Sequence, residues 1–178
     1  MKLLLHVCCA PCFIYPLNTL REKGFEVTGL FYNPNIFPIS EYALRKQALE
    51  NFNNLSKTTI IYPDYNPLEY AEAVRGEEDS SGRCSLCWEL RIKKTAQVAK
   101  EKGFNYFTTT LLVSPYQDQE ALKKIGFRIS REAGIDFYYQ DFRPGYKQAH
   151  EEARAKGLYC QKYCGCRYSE SIRFKKHK

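Results

Sequence analysis

The sequence predicts an α/β protein, a doubly wound and mostly parallel sheet with helices on both faces. Three observations carry this. Short apolar runs recur along the chain, each is followed by a longer stretch with helical spacing, and Gly, Pro or Asn marks the change from one to the next. At 178 residues the chain can build one self-sufficient core but is short for two, so residues 1–178 are expected to form a single domain.

KLLLHV, beginning at Lys2, reads as a strand buried on both faces, and PCFIYPLNTLREKG as a helix stopped at Gly24. FEVTGLFYNPN is strand-like and breaks at Asn33-Pro34-Asn35. Ser40 is a candidate cap for the next helix, which carries Tyr42, Leu44, Leu49 and Phe52 among its apolar positions. TTIIYP gives a third strand ended by Pro63, PLEYAEAVRG a short helix and EEDSSG a polar loop. Ser80 or Ser81 should open a long helix to about Lys102, closed by Gly103. FNYFTTTLL is β-rich, SPYQDQEALKKIGFRISREAG helical, and IDFYYQDF β-rich again. From about residue 143 the pattern turns helical and then irregular, predicting a Cys-rich C-terminal segment packed on the domain.

An apolar fraction of 44% with 26% charged residues is that of a soluble globular chain rather than a disordered one. No apolar run approaches the ~20 residues needed to span a bilayer, and the N-terminal stretch lacks a signal-peptide pattern, so a cytoplasmic protein is expected. In that compartment clustered thiols are metal ligands or redox centres more often than structural disulfides. The net charge of +7, with basic residues after Cys87 and in the tail RFKKHK, suits a polyanionic partner.

The eight cysteines fall into three clusters. Cys8, Cys9 and Cys12 come directly after the first strand, where open α/β sheets place their functional crevice. A phosphate-binding loop there needs glycine, and CCAPC has none, so metal binding is favoured. Cys8 and Cys9 can share one ligand set only if the chain bends between them. Cys84 and Cys87 are three apart on a helix and lie on one face with Arg91 and Thr95, beside a stripe of Trp88, Ile92, Ala96 and Ala99 that should pack on the sheet. Four thiolates suit tetrahedral zinc or an iron–sulfur cluster alike. One of the five sulfurs in these two clusters would then be surplus, Cys12 in one scheme, as a reactive thiol or the ligand of a second metal; Asp141 is a further candidate at the same edge, with an ion pair to Arg143 as its competing reading. Cys164 and Cys166, one residue apart, can close a small, strained and exchange-competent disulfide, or join Cys160 as metal ligands.

The segments LLLHVCCAPC, YNPNIFP, GRCSLCWELRIKKTA, FTTTLLVSPY, DFRPGY and LYCQKYCGCRYSES, in that order, resemble the QueH-type epoxyqueuosine reductases, cobalamin-independent enzymes of queuosine biosynthesis. The resemblance extends over essentially the whole chain. It implies a Rossmann-like fold of the adenine-nucleotide hydrolase-like (HUP) class and the reduction of epoxyqueuosine to queuosine at the wobble position of tRNA. It further implies a 4Fe-4S cluster on Cys8, Cys9, Cys84 and Cys87, an additional iron ion, and a redox-active disulfide of Cys164 and Cys166. Cys160 departs from the pattern, standing where arginine is expected. Such an enzyme needs an external electron donor and cations for the tRNA phosphates, for which Arg83, Arg91, Lys94, Arg167, Arg173, Lys175 and Lys176 are candidates. Two other readings compete: an ATP-using iron–sulfur tRNA thiolase, which would need a glycine-rich loop after the first strand, and a non-catalytic, zinc-stapled RNA-binding module.

Overall fold

The structure, a computed structural model, describes residues 1–80 and 82–169. Five parallel strands form one sheet in the order β3-β2-β1-β4-β5. They are β1 (Lys2–His6), β2 (Glu26–Leu30), β3 (Ile60–Ile61), β4 (Tyr106–Thr109) and β5 (Asp136–Phe137). The helices are α1 (Ala10–Glu22), α2 (Ile39–Ser56), α3 (Pro67–Ala73), α4 (Arg83–Glu101), α5 (Gln119–Ala133) and α6 (Tyr146–Ala155), with short 3₁₀ turns at Thr110–Val113 and Arg143–Gly145. The doubly wound sheet expected from the alternation, and the Rossmann-like class that the resemblance implies, are what is observed.

The winding is set by the sheet order. From β1 the chain moves one way, through α1 to β2 and α2 to β3; from β4 it moves the other way, through α5 to β5. Right-handed crossovers in opposite directions put their helices on opposite faces. Accordingly α1 packs with α2 and α6, and α4 with α3 and α5. Covered on both sides, the central strand has an apolar middle, with Leu3, Leu4 and Leu5 fully buried. The reversal falls between β1 and β4, so the crevice beyond their carboxyl ends is the topological switch point.

Two helix starts differ from expectation. The α2 helix begins at Ile39 after Pro38, with no side-chain cap, and Ser40 lies inside its first turn. The α4 helix begins at Arg83 after Gly82; Ser80 instead accepts from the Gly82 N–H in the preceding turn, and Ser81 lies outside the described residues. Trp88, Ile92, Ala96 and Ala99 are buried as predicted, while Lys93 is exposed.

Candidate metal centre

The end of β1 is pinned before the thiols begin. His6, fully buried, sits level with Thr109 of β4. Its Nε2–H donates to the Tyr32 carbonyl (3.0 Å), which can only accept, so Nδ1 accepts from the Thr109 hydroxyl (2.9 Å). Burial, helped by the Arg91 charge, lowers its pKa to about 4. One residue on, Asn33 donates to the Val7 carbonyl (2.8 Å). The Cys8 N–H then donates to Thr110 Oγ1 (3.1 Å), whose hydroxyl reaches Cys8 Sγ (3.3 Å).

The bend needed between adjacent cysteines occurs at the start of α1. Cys9 is the extended residue before that helix, and its sulfur accepts the Cys12 N–H (3.4 Å), the place where a Ser or Asp oxygen usually caps. Cys8 Sγ and Cys9 Sγ are 3.7 Å apart, and with Cys12 the three sulfurs lie within 4.8 Å of one another. Hydrogen bonds from Cys12 and Cys9, and then from Thr110, hold Cys8 well below the usual thiol range. Burial pushes Cys9 up, and hydrogen bonding to Cys8 and Cys9 pushes Cys12 up. Cys8 is thus the most readily ionised of the three. Buried sulfurs with no carboxylate among them make a soft donor set that fits zinc or iron–sulfur chemistry, and a metal would release the thiol protons.

The C-terminal segment closes over this group. Gln161 Nε2 donates to Cys9 Sγ (2.8 Å). Arg45 of α2, 2% exposed, pairs with Glu41 (2.7 Å) and forks to the carbonyls of Cys164 (3.1 Å) and Tyr163 (3.0 Å). Tyr159 donates back to Glu41 (2.5 Å), and the Phe37 N–H to the Gly165 carbonyl (2.8 Å). Gly165 has φ +120°, and a Cβ there would stand 3.1 Å from the Arg45 guanidinium, so only glycine lets the loop pass.

Cys87 lies against Cys166, Tyr70 and Val74 in a small buried cluster, with Cys84 exposed in the first turn of α4. Arg91, one turn further along α4, donates to the Cys87 carbonyl (3.2 Å), and its charge acts on both Cys87 and His6. Its charge therefore reaches both the Cys87 cluster and the end of β1. All eight cysteines are free thiols; Cys164 Sγ donates to Cys166 Sγ across 3.8 Å, with no disulfide between them. Cys164 is exposed and Cys166 is 5% exposed, its sulfur taking the Ser169 N–H (3.4 Å). Hydrogen bonding from Cys164 and from Ser169 brings Cys166 down to about 4.

Among the described residues, Cys8, Cys9 and Cys12 are the group gathered at metal-binding distances; Cys84 and Cys87 are outside it. Asp141 is engaged by Arg143 (2.6 Å) and is likewise outside it. Arg91, expected to meet phosphate, is 5% exposed and directed at protein groups. Arg83 and Arg167 lie over the rings of Tyr168 (4.8 Å) and Phe37 (5.4 Å), and Lys94 over Tyr32 (5.9 Å). Arg173, Lys175 and Lys176 lie outside the described residues. Arg45, Glu41, Thr110 and Gln161 were missed by sequence reasoning. An i,i+4 Glu–Arg pair reads as a helix surface pair, and nothing local announces a partner more than a hundred residues away.

Residues 3–172 match the family described as epoxyqueuosine reductase QueH. A protein of that name from Dehalococcoides mccartyi is 37% identical over 176 residues, covering 98% of this chain and 96% of its own. Another from Thermotoga maritima is 35% identical, covering 98% and 93%. In fold alone, the chain is similar to a "predicted subunit of tRNA methyltransferase" from Methanocaldococcus jannaschii, with a TM-score of 0.57 at 9% identity over 86% of this chain and 74% of that one. The family match runs through all three cysteine clusters and at similar overall length, and on it the chain belongs to the epoxyqueuosine reductase QueH family.

Proposed function

We propose that this chain reduces epoxyqueuosine to queuosine at the wobble position of tRNA. Two electrons and two protons remove the epoxide oxygen as water and leave a carbon–carbon double bond. The observation that carries the reading is the meeting of two thiol systems: Cys8, Cys9 and Cys12 gather at the switch point, and Arg45 ties the Cys164–Cys166 loop beside them.

In this reading Cys8 and Cys9 with Cys84 and Cys87 hold a 4Fe-4S cluster, and Cys12 or Asp141 serves an additional iron. When bound, such a centre supplies single-electron transfer, and an open iron supplies Lewis acidity. The chain's own sulfurs store the electron pair: Cys164 and Cys166 lose two electrons and two protons in closing a disulfide, and an external electron donor reopens it. Exposed Cys164 faces the donor, while buried Cys166 lies against Cys87. Arg83, Lys94 and Arg167, with Arg173, Lys175 and Lys176, contact tRNA phosphates. The chain works as one cytoplasmic domain with the segment from about 143 packed on it; no helix among the described residues is long and apolar enough to cross a membrane.

The test is anaerobic conversion of epoxyqueuosine-containing tRNA by metal-loaded protein. Wild type converts it; Cys164→Ser and Cys166→Ser lose turnover but keep the visible absorbance of the loaded centre, whereas Cys8→Ser loses both. Absorbance bleached by all three substitutions would contradict this division of roles.

A further inference from the structure

A pocket of about 580 Å³ opens between α6 and the C-terminal cysteine segment, and apart from its thiols and Gln161 its lining residues take no part in the metal centre. Its size is in the range that holds small ligands, and it reaches inward to Cys12. Tyr146 and His150, one helical turn apart, form one wall, their rings tilted against each other at 4.3 Å. Tyr116, 82% exposed, meets Tyr146 edge-on (6.0 Å) at the rim. Gln161 and the exposed Arg154 also line it.

Two polar atoms of this pocket are buried without a hydrogen-bond partner, His150 Nε2 and Gln161 Oε1. Such atoms are rare in folded proteins, and each asks for a ligand group to complete it. Gln161 spends its amide N–H on Cys9 Sγ, so its free carbonyl joins the pocket to the thiol group. Tyr146 and His150 line the same pocket as Cys12, which places the ring pair close to the sulfurs. Aromatic faces, unpaired polar atoms and a cation are the features by which proteins hold an unstacked base of single-stranded RNA.

We propose that this pocket takes the epoxyqueuosine nucleotide itself, unstacked from the anticodon loop. The base lies on Tyr146, His150 and Gln161 bond the polar groups of its side ring, Arg154 meets the flanking phosphate, and the epoxide is turned toward the Cys12 floor. This rests on the reductase reading, and adds to it the residues that tell the modified nucleotide from an ordinary one.

The experiment compares the metal-loaded full chain with Tyr146→Leu, Tyr146→Phe and His150→Leu. It measures KM and kcat on epoxyqueuosine-containing tRNA, and the affinity ratio between that tRNA and the same tRNA unmodified. Tyr146→Leu raises KM about tenfold, the size of one lost stacking contact, and Tyr146→Phe restores it. His150→Leu lowers the preference for modified tRNA while leaving affinity for unmodified tRNA unchanged, because phosphate contacts carry the latter. A merely structural role of His150 would weaken both tRNAs alike. A wild type that converts the substrate, with leucine variants keeping its KM and preference, overturns the pocket alone. A wild type that discriminates the two tRNAs through Tyr146 and His150 without turnover keeps the pocket and overturns the reductase reading.

Discussion

Arg45 satisfies a carboxylate, two loop carbonyls and the charge of nearby sulfur with one guanidinium. Removing one member of a buried ion pair leaves the other uncompensated, at about 3–5 kcal/mol. Arg45→Met should therefore lower stability in urea unfolding by that amount, and Arg45→Lys should recover only part of it, since an ammonium cannot fork to both carbonyls. Unchanged midpoints would mean that the loop is held by other contacts. His6 gives a pH dependence to the metal-free chain. Its folded pKa, about 4, lies below its unfolded value, so the unfolded chain binds the extra proton. Stability is complete above about pH 6.5 and falls as pH drops toward 4, by about 3 kcal/mol in all. His6→Gln should flatten that slope in urea titrations; a slope identical to wild type would assign the loss elsewhere. The sequence made the thiols readable because cysteine is scarce and its spacing is chemical. It hid Arg45 and Gln161 because their partners are distant backbone and sulfur atoms.

Elements with both a period and punctuation were legible, whereas those defined by pairing were not. The α1 and α4 helices announced themselves through apolar spacing and the glycines just past their ends. TTIIYP and IDFYYQDF looked like full strands from their β-branched and aromatic content, yet only Ile60–Ile61 and Asp136–Phe137 pair. Both are edge strands with one neighbour, and Tyr138 and Tyr139 pack against the core from irregular chain instead. Ser40 failed as a cap because a side chain caps only from the residue before the first turn, and Pro38 occupies that place. The seating of α5 on β5 is close: a Cβ on Gly126 would fall 2.2 Å from the Phe137 ring. Gly126→Ala should destabilise by about 1–3 kcal/mol through overpacking, against the stabilisation alanine ordinarily gives a helix. A melting temperature equal to or above wild type would show that Phe137 can move aside.

At the scale of the whole molecule, the sheet order does what no single motif could. It sets residues 8–12 and Thr110 at the edge where the winding reverses, and the C-terminal segment links them onward, through Gln161 and Arg45 on one side and the Cys166–Cys87 contact with α4 on the other. That convergence was foreseeable in outline, since the first strand of an open α/β sheet delivers the residues after its carboxyl end to the crevice. The partner segments came into view only with the fold. Iron and acid-labile sulfide measured on anaerobically reconstituted protein test the central claim most directly. Wild type should bind about four of each per chain, with any further iron lost first to a chelator, and Cys8→Ser or Cys87→Ser should bind far less of both. Stoichiometric zinc without sulfide, or full iron and sulfide retained by both variants, would contradict the account.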